Sequence, residues 1–241
     1  WAASGRGTVI VVGRSTRSLV GMKLQREEFE QQYERYRDNL RHEVHRFRDA
    51  ASVLRQINER LADHLPEVNL APGFFHVVED SLFTTVVLWA DKLFDERGQR
   101  GFFNFLSFVE HNRDWLTTAE LKRRKAYPDD HWMLKNRVPI TFESIEADRT
   151  QIRSLAALRS IRLRRDKFHG HFDKDYFFDR SRLHTEAPIT WVDLIEAGDV
   201  MGRMLNDYSV DFDGVMFSWE GPADLDALLE AAARRRSANA D

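Results

Sequence analysis

From residue 23 to residue 65 the chain places an apolar side chain at every third or fourth position, with no glycine or proline to interrupt it. Phe29, Tyr33, Tyr36, Leu40, Val44, Phe47, Ala51, Leu54, Ile57, Leu61 and Leu65 hold these positions, and charged residues fill most of the others. At about 100° per residue such spacing draws one stripe along a single helix. A helix of this length must bury its stripe along its whole course. Either other helices of the same chain cover it, or a partner helix does so through a coiled-coil-like seam. In a chain of 241 residues the first solution is expected, an all-α helical bundle built on a long N-terminal helix.

The remaining pattern supplies the partners. Residues 66–73 break the first helix at Pro66. Residues 74–94 then form a second helix, apolar on more than one face through Phe75, Val78, Leu82, Phe83, Val86, Val87, Trp89 and Leu93. A helix apolar nearly all round belongs at the centre of a bundle. Asp80, Asp91 and Asp95 punctuate it and are expected to face solvent or pair with Lys92 and nearby arginines. A turn at 98–101 leads to a short aromatic helix at 102–108, ending near His111. Thr117 and Thr118 offer N-caps for a helix over 121–126, and 127–138 reads as loop. Thr141 can cap a helix that carries Ile145, Ile152, Leu155, Leu158 and Ile161 and runs on without a break. Residues 176–186 read as irregular. Thr190 and Asp193 have capping-box spacing ahead of a helix through Leu205, with a mixed connection over 208–220. Pro222 suits the first position of extra C-terminal helix 224–236. Residues 22–236 are thus expected to be one domain, 237–241 a frayed tail, and 1–21, which hold no acidic residue, a disordered or non-native leader.

Composition removes several classes of function. There is no cysteine, which excludes disulfides and thiolate zinc sites and fits a cytoplasmic setting. No apolar run approaches the roughly 18 residues of a membrane span. No glycine-rich phosphate loop or Gly-x-Ser-x-Gly elbow is present. His42 and His45 are three apart, one short of the zinc-protease spacing, and read as a solvated helix face. No metal or cofactor is expected. The net charge of −3 gives no general case for nucleic acid, so any such case must be local.

The local case lies between residues 151 and 182. Arg153, Arg159, Arg162, Arg164, Arg165, Lys167, Lys174, Arg180 and Arg182 face only Asp166, Asp173, Asp175 and Asp179 there, with Phe168, Phe172, Tyr176, Phe177 and Phe178 interleaved. Such a patch can hold phosphates and stack bases; the plainer reading is a solvated helix face with ordinary salt bridges. Continuing the stripe of Leu155, Leu158 and Ile161 gives Arg165, then Phe168 and Phe172, so a cation falls in register with a buried face. Cutting RNA without metal needs a base near the 2′-hydroxyl and a cation near the phosphate oxygens. Histidine suits the first task and arginine the second. His171 lies about 120° from Arg165 on an unbroken helix, so either the helix bends at Gly170 or a second subunit completes the site. His169 would share the face of Arg165 and rivals His171. Asp166 could set an imidazole tautomer.

The run Arg165-Asp166-Lys167-Phe168-His169-Gly170-His171-Phe172-Asp173 resembles the motif of the HEPN superfamily, in the form found in its abortive-infection AbiU-type branch. The apolar helix ending in Leu93-Phe94-Asp95, the lead-in over 139–165 and a late Asn206-x-Tyr208-Ser209 are similar to that branch, and the likeness spans roughly 24–229. The resemblance implies a four- to five-helix up-and-down bundle and a homodimer whose motif residues line one cleft. It also implies, for many members, metal-independent RNase activity in phage defence or as a toxin, with an antitoxin as a potential partner. On that basis Arg165 would grip phosphate, His171 would act as base or acid, and Asp166 would orient it. Arg162, Arg164, Lys167, His169 and Lys174 would contact RNA. The alternative is a non-catalytic module of the same fold that binds RNA or protein. Gly170 departs from the more usual alanine. Asp173 stands where some toxin branches carry a modifiable tyrosine, so tyrosine nucleotidylation is not expected.

Overall fold

A computed structural model describes residues 23–135 and 137–238. The expected leader at 1–21 and most of the expected tail lie outside these residues. The described residues form eleven α-helices and no strand: α1 (Arg26–Arg60), α2 (Leu65–Val68), α3 (Pro72–Phe94), α4 (Phe102–His111), α5 (Thr118–Lys125), α6 (Phe142–Ser154), α7 (Ala157–Arg164), α8 (Lys174–Phe178), α9 (Arg182–Glu186), α10 (Trp191–Asp213) and α11 (Leu225–Ala238). None is long and apolar enough to cross a membrane.

α1 is the spine. It buries Phe29, Tyr33, Arg37, Leu40, Val44, Phe47, Ala50, Leu54 and Ile57, at the spacing one helical stripe requires. Several positions differ from expectation, Ala50 being buried where Ala51 was expected. Arg37 takes the buried place beside Tyr36, because its guanidinium lies over the Phe212 ring and pairs with Asp213 at 2.7 Å. Leu61 and Leu65 fall beyond the end of α1 and are 38% and 48% exposed.

α3 and α10 flank α1. Glu43 meets Trp89 and Asn58 meets Glu79, so α1 and α3 run antiparallel. Arg37 meets Asp213 and Arg48 meets Asp199, so α10 is antiparallel as well. α6 and α7 close the ring. Tyr208 and Arg203 of α10 both reach Asp148 on α6, and Arg203 also reaches Gln151, while α7 contacts α3 and α10. This is an up-and-down four-helix bundle, with α4 and α5 packed on it and α11 laid across the end of α1.

Five further expectations are corrected. α3 is buried only from Val86 onward; its first turns overhang the end of α1, leaving Phe74 and Val77 each 62% exposed. The helix expected from Thr141 through Ile161 breaks at residues 155–156, where Leu155 takes ψ 119°. The break lets α6 pack on α4 and α7 on α3, which one straight axis cannot do. α10 runs on to Asp213 and stops where Gly214 adopts φ 77°, a left-handed cap that glycine accepts without strain. Pro222 lies outside α11, its carbonyl accepting a hydrogen bond from Gln56 at 2.5 Å. Residues 176–186 contain two short helices instead of irregular chain.

Phe47 is fully buried on the spine. Truncating it to alanine should cost about 3–5 kcal/mol of unfolding free energy, read as a lower denaturant midpoint at unchanged slope.

Candidate active site

α7 does not end as an ordinary α-helix. It passes into a π-helical turn over Arg165–His169, the wider i→i+5 pattern that often marks functional positions. The Gly170 amide donates to the Arg165 carbonyl at 2.7 Å, and the Asp173 amide to the Lys167 carbonyl at 3.0 Å. A Cβ at Gly170 would lie 2.8 Å from the Arg165 carbonyl oxygen. Glycine therefore lets the turn close where alanine would push it open. The expected bend at Gly170 takes this form.

Ahead of the turn, the arginine that faces inward is not the expected one. Arg164, not Arg165, is the buried one, at 7% exposure. Its Nε donates to the Ala187 carbonyl at 2.6 Å and its Nη2 to that of Leu183 at 2.9 Å, with the guanidinium 5.1 Å from the Phe83 ring centre. Burial lowers its pKa, though an arginine stays charged. Arg164 thus ties α7 to the chain around α9. It cannot reach RNA as expected, because its donors are held by carbonyls inside the fold. The stripe does not continue to Phe172 either, which is 69% exposed.

Arg165 lies at the rim. Its Nη1 is 3.1 Å from Asp91 of α3 and its Nε 2.7 Å from Asp166, with the side chain 36% exposed. Asp91 is buried. Burial pushes its carboxyl above the usual range, Arg165 pulls it back, and Asp95 and Asp166 add to the rise. The guanidinium therefore has an inner partner fixed in the bundle and an outer one in solvent. Asp166 faces Arg165, and no imidazole among the described residues bonds to it. Asp91 was legible only as an acid on an apolar helix. The missing signal was that such a helix, once packed, needs a cation opposite its acid.

The two histidines separate cleanly. His169 Nδ1 is 3.2 Å from the Thr84 hydroxyl, and the ring sits near Phe83 and Phe168. Its Nε2 is buried without a hydrogen-bond partner among the described residues. Burial, helped by Arg164, holds its pKa below the ordinary value, against the pull of Asp80. His169 is a neutral wedge between α3 and the turn. His171 is exposed and makes no hydrogen bond or ion pair among the described residues.

Most other cations of the segment are engaged within the chain. Arg153 pairs with Glu96 at 3.4 Å, Arg162 lies 4.0 Å from the same carboxylate, and Lys167 pairs with Asp173 at 2.7 Å. The plain salt-bridge reading holds for these. Arg159, Lys174 and Arg180 are exposed and have no carboxylate partner among the described residues. His42, His45 and Asp49 do not gather into a metal group; His45 lies against the Trp219 ring instead.

The HEPN-type family model described as AbiU2 matches residues 30–232, from the start of α1 into α11. No curated protein and no solved structure matches the chain.

The depressed pKa of His169 has a sign that can be tested. As pH falls, the unfolded state takes up the proton first, so this residue's contribution is complete above its ordinary 6.5 and is lost as pH falls toward the folded value. Urea unfolding at pH 7 and pH 5 should show a smaller acid loss for His169→Gln than for the unaltered chain.

Proposed function

Because this chain belongs to the AbiU2 family of the HEPN class, we propose that it is a metal-independent endoribonuclease of abortive-infection defence, acting in the cytoplasm at a site two copies build together. The observation that carries this reading is the contrast at the π turn. Arg165 is anchored from behind by Asp91 and covered in front by the exposed Asp166, while His171 is exposed and uncommitted among the described residues.

The chemistry follows from those two groups. A neutral His171 takes the proton of a ribose 2′-hydroxyl, and the 2′-oxygen attacks the adjacent phosphorus. The bond from phosphorus to the 5′-oxygen breaks, and that oxygen leaves with a proton returned by an imidazolium. The products are a 2′,3′-cyclic phosphate and a 5′-hydroxyl. Arg165 forks onto the non-bridging oxygens, where negative charge builds, displacing Asp166 from its outer edge. Asp91 keeps the guanidinium aimed while this happens. Lys174 is placed to attract the backbone, whereas Arg162 and Lys167 would first have to leave their carboxylates.

The overhanging end of α3 favours a dimer. Phe74 and Val77 are exposed, and Asp80 and Thr84 of the same helix lie against the motif through His169. A second copy covering this apolar end would also close a cleft over the π turn.

In chelator, the protein should cut RNA to cyclic-phosphate ends, and Arg165→Ala or His171→Ala should each lower the rate by roughly a hundredfold or more. Cleavage that survives both changes would sink the mechanism. Salt-dependent RNA binding with no product would favour the binding-module alternative, which the paired state of Arg153, Arg162 and Lys167 makes the second reading. Val77→Glu tests the seam separately. Sedimentation should show monomers, and cleavage should fall with Arg165 and His171 untouched; a dimer that persists would move the interface elsewhere.

A further inference from the structure

Immediately after the motif the chain sets four phenylalanine rings edge to face. Phe168 meets Phe172 at 5.9 Å, Phe172 meets Phe177 at 5.4 Å, and Phe177 meets Phe178 at 5.3 Å between centroids. The last three of these rings are 69%, 48% and 78% exposed. They do not belong to the core. Tyr176 and Leu183 anchor this part of the chain inward, with the Tyr176 hydroxyl donating to Glu186, so α8 turns Phe177 and Phe178 outward. Edge-to-face contact holds the rings in place yet leaves ring faces open, as a surface for flat partners requires.

The charges around the rings select the partner. Asp173 is held by Lys167, Asp175 lies 3.5 Å from Arg182, and Asp179 turns back onto Ser181. Arg180 stands 4.8 Å over Phe168, and neither it nor Lys174 has a carboxylate partner among the described residues. Aromatic faces beside free cations suit a single-stranded polynucleotide, whose bases stack while its phosphates meet the cations. A second copy of this chain fits poorly, since a twofold contact here would bring Lys174 and Arg180 toward their own counterparts.

We infer that Phe172, Phe177 and Phe178, flanked by Lys174 and Arg180, form a base-stacking site for unpaired RNA next to the phosphate grip of Arg165. The inference rests on the proposed reading that RNA is the ligand. It adds where the unpaired bases sit, and it implies preference for single strands over duplex.

The test uses the full chain and two uncleavable probes of equal length and charge: a 2′-O-methyl oligouridine, and the same backbone with most bases removed. The unaltered protein should bind the base-bearing probe about tenfold or more tightly than the abasic one. Phe172→Leu/Phe178→Leu, which keeps the surface apolar but removes the rings, should lose most of that difference. Abasic binding, melting temperature and sedimentation should not change. Equal binding of both probes by the unaltered protein would overturn the site. So would a double variant that weakens both probes alike, or one that changes the oligomeric state while keeping the base preference. Because neither probe can be cut, an intact base preference in a protein without RNase activity would end the catalytic reading and leave this one standing.

Discussion

One line of side chains on α1 sets where everything else can go. It runs from Phe29 to Ile57 without a gap, and α3 and α10 take its two flanks. The aromatic contacts locate the tightest point: Tyr33 stacks on Phe212 at 4.2 Å, and Phe29 stacks on Phe108 at 5.5 Å. With both flanks occupied, α6 and α7 must close the ring on the side away from α1. The motif is carried there, at the end of α7, beside α3 from Phe83 to Asp91. The position of the candidate site is therefore a consequence of how the helices pack, before any chemistry is considered.

At that position the charge balance is set by burial. A carboxylate such as Asp91 is tolerated inside a bundle only with a cation against it, and Arg165 is that cation. Asp166 makes a contact of another kind, exposed and screened by solvent, of the sort worth about 0–1 kcal/mol. The difference matters, since a phosphate can replace the outer acid without disturbing the inner one. The remaining arginines of the segment do not add to a general field. Arg164 is held by two carbonyls, and Arg153 and Arg162 share Glu96. A positive stretch in sequence becomes a surface with few free cations among the described residues, and of those Lys174 and Arg180 flank the exposed phenylalanines.

Helical periodicity made the all-α class and the spine readable, since a stripe of that length has one regular solution. The cap at Thr141 and the capping box at Thr190 were legible for a local reason, being made between residues three apart. What could not be read depends on contacts across the bundle. The break at Leu155 answers the different partners of α6 and α7, and no glycine or proline announces it. Arg164 as the buried cation keeps the period of Ala157, Ser160 and Ile161, three residues past Ile161 where four was expected; the π turn that follows is what periodicity at 3.6 residues cannot anticipate. Asp91 as the anchor of Arg165 needed α3 and α7 to be placed together. The motif identified the segment; only the fold told its two histidines apart.

That distinction bears on why, under the proposed function, a single chain would be incomplete. A general base must be held as well as titratable, because its tautomer and aim decide which proton it takes. His169 is held, but by Thr84 and by partial burial, in a place where it meets aromatic rings. His171 has the freedom to reach a substrate and nothing among the described residues to orient it. Under the proposed function its orienting group comes from bound RNA or from the facing copy. The exposed first turns of α3, at Phe74 and Val77, lie N-terminal to the Thr84 that holds His169 and are uncovered among the described residues. Both deficits sit at one end of the bundle, and a second copy seated there would supply both.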